Sequence, residues 1–238
     1  MIVFLDRKKI GMVLLGIFCF SAVLCTSVNN TRESILVSAT PVSSKVIVLD
    51  AGHGKPDGGA ESPNGITEEK TNLDIVLKVQ KYLEESGSTV ILTRSDENGI
   101  HDLDKQTLKE KKVSDAKNRV KIGNEASADI FVSIHLNKGE SSQYNGWQTF
   151  YRENDENGKR LAKCVQDGLK ETIKVENKRT ENAIKGIYIT DHVEIPITIV
   201  ECGFLSNPQE EKKLITDEYQ NELAWGIYTG ILNYFNSN

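Results

Sequence analysis

The chain has 238 residues, a formal net charge of -5 and a hydrophobic fraction of 38%. These values are ordinary for a globular protein, and the length suits one α/β domain with a sizeable core. The net charge is mildly acidic and the sequence contains no cluster of basic residues of the kind that binds nucleic acid, which argues against such binding.

The N-terminus has the pattern of an export signal. Three basic residues at positions 7–9 precede an apolar run over residues 10–25. This pattern predicts a leader over residues 1–28, either a cleaved signal peptide or a retained anchor, because the run is only slightly shorter than the ~20 residues of a membrane-spanning helix. Residues 29–44 are polar and predict a linker, followed by one domain over residues 45–238. We therefore expect the domain to lie outside the cytoplasmic membrane, with membrane contact through the leader only.

Apolar runs that end in polar or glycine residues predict the strands. The first covers residues 46–49, runs into Asp50 and is followed by a glycine-rich loop that contains His53. A short continuous apolar run of this kind is typical of a buried parallel strand. Further strands are predicted at residues 89–93, 129–134, 146–151, 187–189 and 195–200, and helices at 67–86, 113–125, 159–173 and 218–235, with another helix starting after Asn207 and a long loop at 95–112. Alternating strands and helices predict an α/β fold, a single domain with a mostly parallel twisted sheet and helices on both faces.

Two side-chain environments within these elements can be predicted as well. In the helix at 67–86, helical spacing places Leu73, Val76, Leu77, Gln80 and Leu83 on the inner face. The two cysteines of the domain, Cys164 and Cys202, are far apart in sequence, and we predict that they are buried and unpaired rather than joined in a disulfide.

Three chemically active side chains fall at predicted strand ends: His53, His135 and Glu201. Open α/β sheets hold ligands beyond the carboxyl ends of their strands, so these side chains are expected to share a cleft. Imidazole and carboxylate are zinc donors, and catalytic zinc sites leave one position for water. The third ligand would be Glu68 or Glu69, between which physical reasoning alone does not choose.

The remaining acidic and histidine residues have competing interpretations. Glu201 ends an apolar strand, where it either pairs with a base as a structural anchor or transfers a proton from metal-activated water to a leaving amine, which makes hydrolysis the natural reaction. Asp50 and Asp57 either hold a metal-bound imidazole or cap the loop. His101 and His192 are predicted to face solvent.

Several blocks of the sequence, taken in order, carry a family resemblance. They are the residues at 50–54, 65–73, 93–94, 133–137 and 200–207. From about residue 45 onward the chain resembles the zinc-dependent N-acetylmuramoyl-L-alanine amidases of the amidase_3 type. Members of that family have a doubly wound α/β fold and cleave the amide between N-acetylmuramic acid and L-alanine in peptidoglycan.

The resemblance implies roles for four residues. His53, Glu68 and His135 would bind zinc and Glu201 would be the catalytic glutamate, with Glu68 chosen over Glu69 by its position relative to Leu73. The doubled acid at 68–69 departs from the Glu-Lys pair usual in the family.

The single catalytic domain behind a leader also has a biological implication. It is similar to the amidases of spore-forming bacteria that remove peptide side chains during muramic-δ-lactam formation in the spore cortex, which implies a place between the forespore membranes.

Three other possibilities stay open at this point. The protein could be a catalytically silent peptidoglycan-binding or adaptor protein that works through a partner. It could be an amidase that binds zinc weakly and needs an activating protein, or a zinc carboxypeptidase that differs only in the bond cleaved. The same ligands would also accept other divalent ions.

Overall fold

The computed structural model describes residues 40–237. The predicted leader and the predicted linker up to residue 39 lie outside the described residues. Residues 40–44, at the end of that linker, form a turn whose Val42 is fully buried. Within residues 40–237, no helix is both long and apolar enough to cross a membrane.

Six strands form one twisted sheet. They are β1 (Val46–Ala51), β2 (Thr89–Leu92), β3 (Ile130–Asn137), β4 (Gln148–Arg152), β5 (Asn182–Ile184) and β6 (Ile197–Phe204). Their order across the sheet is β2-β1-β3-β6-β4-β5. The β1–β2, β1–β3, β3–β6 and β4–β5 pairs are parallel, and only β4–β6 is antiparallel. The predicted mostly parallel sheet is confirmed.

Helices cover both faces of this sheet, as predicted. They are α1 (Glu68–Glu85), α2 (Leu108–Glu125), α3 (Glu156–Thr172), α4 (Tyr188–His192), α5 (Pro208–Leu214) and α6 (Asp217–Asn236). The larger core lies between the sheet and helices α1, α3 and α6, and the smaller core lies on the opposite face beneath α2 and α4. Both faces of β1, β3 and β6 are therefore buried, which explains why these strands are continuous apolar runs.

Several predicted boundaries are wrong, each for a local reason. Helix α2 begins at Leu108 and not at residue 113, because Thr107 and Glu110 form a reciprocal capping box inside the charged segment predicted as a loop. Residues 187–189, predicted as a strand, form the N-cap and the first two residues of the short helix α4. Strands β3 and β6 also continue past their predicted ends, so that His135 and Glu201 lie within strands rather than after them.

The predicted side-chain environments are partly correct. In α1 the buried apolar residues include Leu73, Val76 and Leu83, but Leu77 is 39% exposed. Ile75 and Val79 fill the core instead. Both described cysteines are free, Cys202 fully buried and Cys164 half-buried.

Helices α3 and α6 pack against each other through glycine. A Cβ placed on Gly168 of α3 would meet the backbone of Gly226 and Gly230 of α6 closer than 3.0 Å, and one on Gly230 would meet the backbone of Val165 equally closely. Backbone cannot move aside as a flexible side chain does, so the missing side chains set the distance between the two helices.

We predict that Gly230→Ala destabilises the domain by about 1–3 kcal/mol through overpacking. In an exposed helix the same substitution would be stabilising by about 1 kcal/mol, so the sign of the change is diagnostic. Urea unfolding followed by circular dichroism measures it, with Thr229→Ala on the same turn of α6 as the control. A stability equal to or above wild type would contradict the close packing.

Candidate metal centre

The site lies along one row of residues across the carboxyl ends of β1, β3 and β6 and the amino end of the antiparallel strand β4. His135 of β3 is in register with Glu201 of β6, and Glu201 is in register with Gln148 of β4. On the other side, the amide of Gly52 donates to the carbonyl of Ile134, next to His135. Because residues opposite each other in a sheet project from the same face, His135, Glu201 and Gln148 extend into one cleft. The predicted gathering of strand-end side chains is therefore present.

Two imidazoles and one carboxylate converge at this row. One potential ligand atom from each of His53, Glu68 and His135 lies within 4.8 Å of the others. The Nε2 atom of His53 is 3.0 Å from Oε1 of Glu68, and Nδ1 of His135 is 3.7 Å from Oε2 of the same carboxylate. Two nitrogens and an oxygen at these distances suit a tetrahedral metal ion with its fourth position open. These three residues are the ones that could hold a metal.

The structure distinguishes Glu68 from Glu69. Glu68 is the first residue of α1, and its carboxylate accepts hydrogen bonds from the amides of Ala60 and Leu136 as well as facing both imidazoles. Burial raises the pKa of Glu68, but the two histidines outweigh burial and the net shift is downward. Glu69 is also buried, yet it is not a member of the cluster.

Asp57 serves both of the roles considered for it. Its Oδ2 lies 2.8 Å from Nδ1 of His53, while Oδ1 accepts a hydrogen bond from the amide of Gly59. The first contact leaves Nε2 of His53 directed at Glu68 and fixes the ring. Burial lowers the pKa of His53, but the contacts with Asp57 and Glu68 raise it to about 9 overall.

Glu201 is a partly buried acid beside this cluster. Its Oε2 is inaccessible and has no hydrogen-bond partner among the described residues. Burial raises the pKa of Glu201, His135 lowers it and Glu68 raises it further, giving about 7. The structural interpretation, in which Glu201 pairs with a base to anchor a loop, finds no such pair in the described part of the chain.

Two buried arginines, Arg94 and Arg119, donate hydrogen bonds to the loop that carries His53. Arg94 belongs to one of the blocks of family resemblance, and Arg119 does not. Arg119 of α2 pairs with Asp50 at 2.5 Å and donates to the carbonyls of Ala51 and His53. Arg94 donates to the carbonyls of Ala51, Gly52 and Glu69.

Asp50 thus supports the loop backbone and is not hydrogen-bonded to an imidazole. Burial raises its pKa, but Arg119 and the hydroxyls of Ser133 and Thr93 lower it to about 2. No local sequence pattern predicts the role of Arg119, because its partner Asp50 is 69 residues away in the chain.

Two glycines of this loop make room for the candidate ligands. A Cβ on Gly52 would overlap the imidazole of His135, and a Cβ on Gly59 would overlap the carboxylate of Glu68, each closer than 3.0 Å. Gly59 also has φ of +70°, which side chains disfavour. His53 itself has φ of +61°, a strained conformation of the kind that clusters at functional sites.

The other two histidines lie outside the cluster, and the predicted exposure to solvent is found fully for His192 and in part for His101. His192 is exposed, its Nδ1 lies 2.8 Å from the carbonyl of Tyr188, and its ring stacks on that tyrosine. His101 lies in the segment before α2 and is half-exposed.

The fold and the cluster define an α/β protein with a candidate metal centre at the carboxyl edge of its sheet. The sequence profile of the Amidase_3 family, N-acetylmuramoyl-L-alanine amidase, matches residues 47–233. The chain belongs to this family, whose enzymes cleave the amide between N-acetylmuramic acid and L-alanine in peptidoglycan.

Two curated relatives are from Bacillus subtilis (strain 168). The germination-specific N-acetylmuramoyl-L-alanine amidase is 37% identical over 195 residues, covering 82% of this chain and 81% of the relative. The amidase LytC is 32% identical over 197 residues, covering 82% of this chain and 36% of that protein.

Among solved structures, the fold is similar to the CwlD amidase from Clostridioides difficile in complex with the GerS lipoprotein. The TM-score is 0.80 at 41% identity, covering 82% of this chain and 100% of that chain. An N-acetylmuramoyl-L-alanine amidase from Clostridium difficile 630 follows with a TM-score of 0.72 at 31% identity, covering 82% and 99%.

We predict that Gly52→Ala weakens the binding of a divalent cation while leaving the domain folded, because the new methyl group displaces the His135 ring. Competition with a chromophoric chelator, using Zn²⁺ as the probe, measures the affinity. Gly65→Ala is the matched control: Gly65 has φ of +80° but no neighbour closer than 3.8 Å. The control should lose stability but not affinity. Equal zinc affinity in Gly52→Ala and wild type would contradict the placement of His135.

Proposed function

We propose that the protein is a zinc-dependent hydrolase that cleaves the amide between N-acetylmuramic acid and L-alanine. His53, Glu68 and His135 hold the zinc ion, and Glu201 is the catalytic acid and base. The observation that carries this proposal is the convergence of one ligand atom from each of the first three residues within 4.8 Å. The unpartnered Oε2 of Glu201 beside them supports it.

The donor set fits zinc. Two imidazole nitrogens and one carboxylate oxygen match the composition of known catalytic zinc sites. Asp57 fixes the orientation of the His53 ring through its contact with Nδ1. Zinc held in this way lowers the pKa of a water molecule to roughly 7 and polarises a carbonyl group.

Glu201 performs the proton transfers. A carboxylate with a pKa of about 7 accepts a proton from the attacking water and is then able to donate it to the departing amine of L-alanine. The side chain is poised for both steps, because its Oε2 atom is shielded from bulk solvent and none of the described residues hydrogen-bonds to it.

The biological setting follows from the relatives. The similarity to a germination-specific amidase supports a role in removing peptide side chains during spore cortex formation, and the predicted leader would carry the domain out of the cytoplasm, between the forespore membranes. A solved relative is described in complex with a lipoprotein. A protein partner that activates the enzyme is therefore part of this proposal.

The alternative function, a catalytically silent peptidoglycan-binding or adaptor protein, is less well supported. Such a protein has no use for an inaccessible, unpartnered carboxylate oxygen next to a His-Glu-His cluster, since a buried polar atom without a hydrogen bond lowers stability. A carboxypeptidase would use the same groups on another bond, and mass spectrometry of the digest distinguishes it by the new amino end.

We predict that Glu201→Gln lowers kcat by about 10²- to 10⁴-fold, the usual contribution of a general acid-base residue. Zinc content and melting temperature should stay near those of wild type. The assay is mass spectrometry of muropeptides after digestion with and without added zinc, in which wild type releases peptides that begin with L-alanine and chelation stops the release.

Glu194→Gln, the same change at an exposed glutamate, is the control and should be fully active. Full activity of the Glu201 variant, or release that is insensitive to chelation, would contradict the mechanism. Binding of the wall without any amine release by wild type would favour the adaptor function.

A further inference from the structure

A second cavity adjoins the row of site residues on the side of β4. It has a volume of about 340 Å³, and its lining includes Tyr144, Asn145, Asn177 and Arg179. These residues come from the segment before β4 and from the segment between α3 and β5. The ring of Tyr144 packs against Phe204, the last residue of β6, at 5.9 Å. The cavity therefore lies at the same carboxyl edge of the sheet as the candidate metal centre.

Arg179 is held in a defined orientation in this cavity. Its Nε donates to the carbonyl of Asn145 at 3.3 Å, its Nη1 donates to Oε1 of Gln148 at 3.2 Å, and the guanidinium lies over the ring of Phe204 at 4.9 Å. The Arg179 amide also donates to Oδ1 of Asn177. These contacts use one N–H group of Nε and one of Nη1, and Nη2 has no hydrogen bond to any residue between 40 and 237.

Arg179 forms no direct ion pair with a described residue, although its charge acts on the nearby Glu210, where it opposes the rise in pKa that burial causes. No carboxylate of the described residues lies within 4.0 Å of its guanidinium nitrogens, although shorter ion pairs occur throughout the domain. The neighbouring Glu210 uses its two oxygens to accept hydrogen bonds from the amides of Gly146 and Phe204. Lys178 and Glu176, which also line the cavity, pair with each other at 3.3 Å.

Gln148 connects this guanidinium to the candidate catalytic centre. It is directly opposite Glu201 in the β4–β6 pair, and side chains in such positions have Cβ atoms about 5 Å apart on the same face. Its amide nitrogen donates to the carbonyl of Thr180, which leaves Oε1 for Arg179. Arg179 is thus one side chain away from Glu201, in the direction opposite to His135.

We infer that this cavity is a binding subsite for the peptide released by the reaction, and that Arg179 binds a carboxylate of that peptide. The inference rests on the proposed function and names the part of the substrate that the enzyme recognises. The group that fits is the free α-carboxylate of the γ-linked D-glutamate that follows L-alanine in the stem peptide. A fixed guanidinium whose Nη2 is unbonded suits a carboxylate, because the N–H groups of Nη2 can form charge-assisted hydrogen bonds with its oxygens. A stem whose D-glutamate is amidated would lose the charge-assisted contact.

The test compares two substrates that differ only in this group. N-acetylmuramoyl-L-alanyl-γ-D-glutamyl-L-lysine carries the free α-carboxylate and N-acetylmuramoyl-L-alanyl-D-isoglutaminyl-L-lysine carries the carboxamide, and in both the γ-carboxyl group is bound in the amide to lysine. With the zinc-loaded full chain, Arg179→Ala should lower kcat/KM for the acid by about 10- to 100-fold, as expected for a lost hydrogen-bonded charge pair, and for the amide by less than about threefold. Arg179→Lys should recover part of the loss. Lys185→Ala, which removes an exposed charge just beyond β5, is the control.

A second measurement is independent of turnover. Isothermal titration of the full chain with the peptide L-alanyl-γ-D-glutamyl-L-lysine should show binding that Arg179→Ala abolishes, whereas L-alanyl-D-isoglutaminyl-L-lysine should bind weakly to both proteins. Equal losses of kcat/KM on the acid and the amide, or peptide binding unaffected by Arg179→Ala, would overturn the subsite. Should wild type cleave neither substrate, the proposed function fails and the titration alone decides the inference.

Discussion

The site depends on buried arginines that hold the loop after β1. Arg119, paired with Asp50, donates to carbonyls on either side of Gly52, and Arg94 donates to the carbonyl of Gly52 itself. Removing one partner of a buried ion pair typically costs about 3–5 kcal/mol, so this loop is held far more firmly than an exposed one. The rigid loop stabilises the strained backbone of His53. It also keeps Gly52 in close contact with the imidazole of His135.

The strands and the identity of the donors could be predicted from the sequence because both depend on local patterns. Buried parallel strands are continuous apolar runs, and parallel strands bring their carboxyl ends to one edge of the sheet. These two rules were enough to predict that His135 and Glu201 lie close together. The missed features depend on contacts distant in sequence. Neither the antiparallel orientation of β4 nor the pairing of Gln148 with Arg179 across 31 positions has a local signature. The early start of α2 did have one, in the Thr107 and Glu110 capping box.

The row across the sheet also divides the cleft by charge. On one side, His53, Glu68 and His135 form a centre suited to a cation, with Asp57 behind it. On the other side, Gln148 accepts a hydrogen bond from the guanidinium of Arg179, which forms no direct ion pair with a described residue. Glu201 lies between them, so a substrate amide held over Glu201 would have its carbonyl towards the cation and its peptide towards the arginine. This polarity accounts for how one sheet edge could both orient and cleave an acidic stem peptide.

The central claim is that two imidazoles and one carboxylate from distant segments share a single zinc ion. The most direct measurement is a crystal structure of the zinc-loaded protein with anomalous data collected at the zinc absorption edge. The account predicts one anomalous peak per chain, about 2.0–2.2 Å from a nitrogen of His53, a nitrogen of His135 and an oxygen of Glu68. A fully loaded crystal with its zinc peak elsewhere, or with any of these side chains turned away from it, would contradict the account.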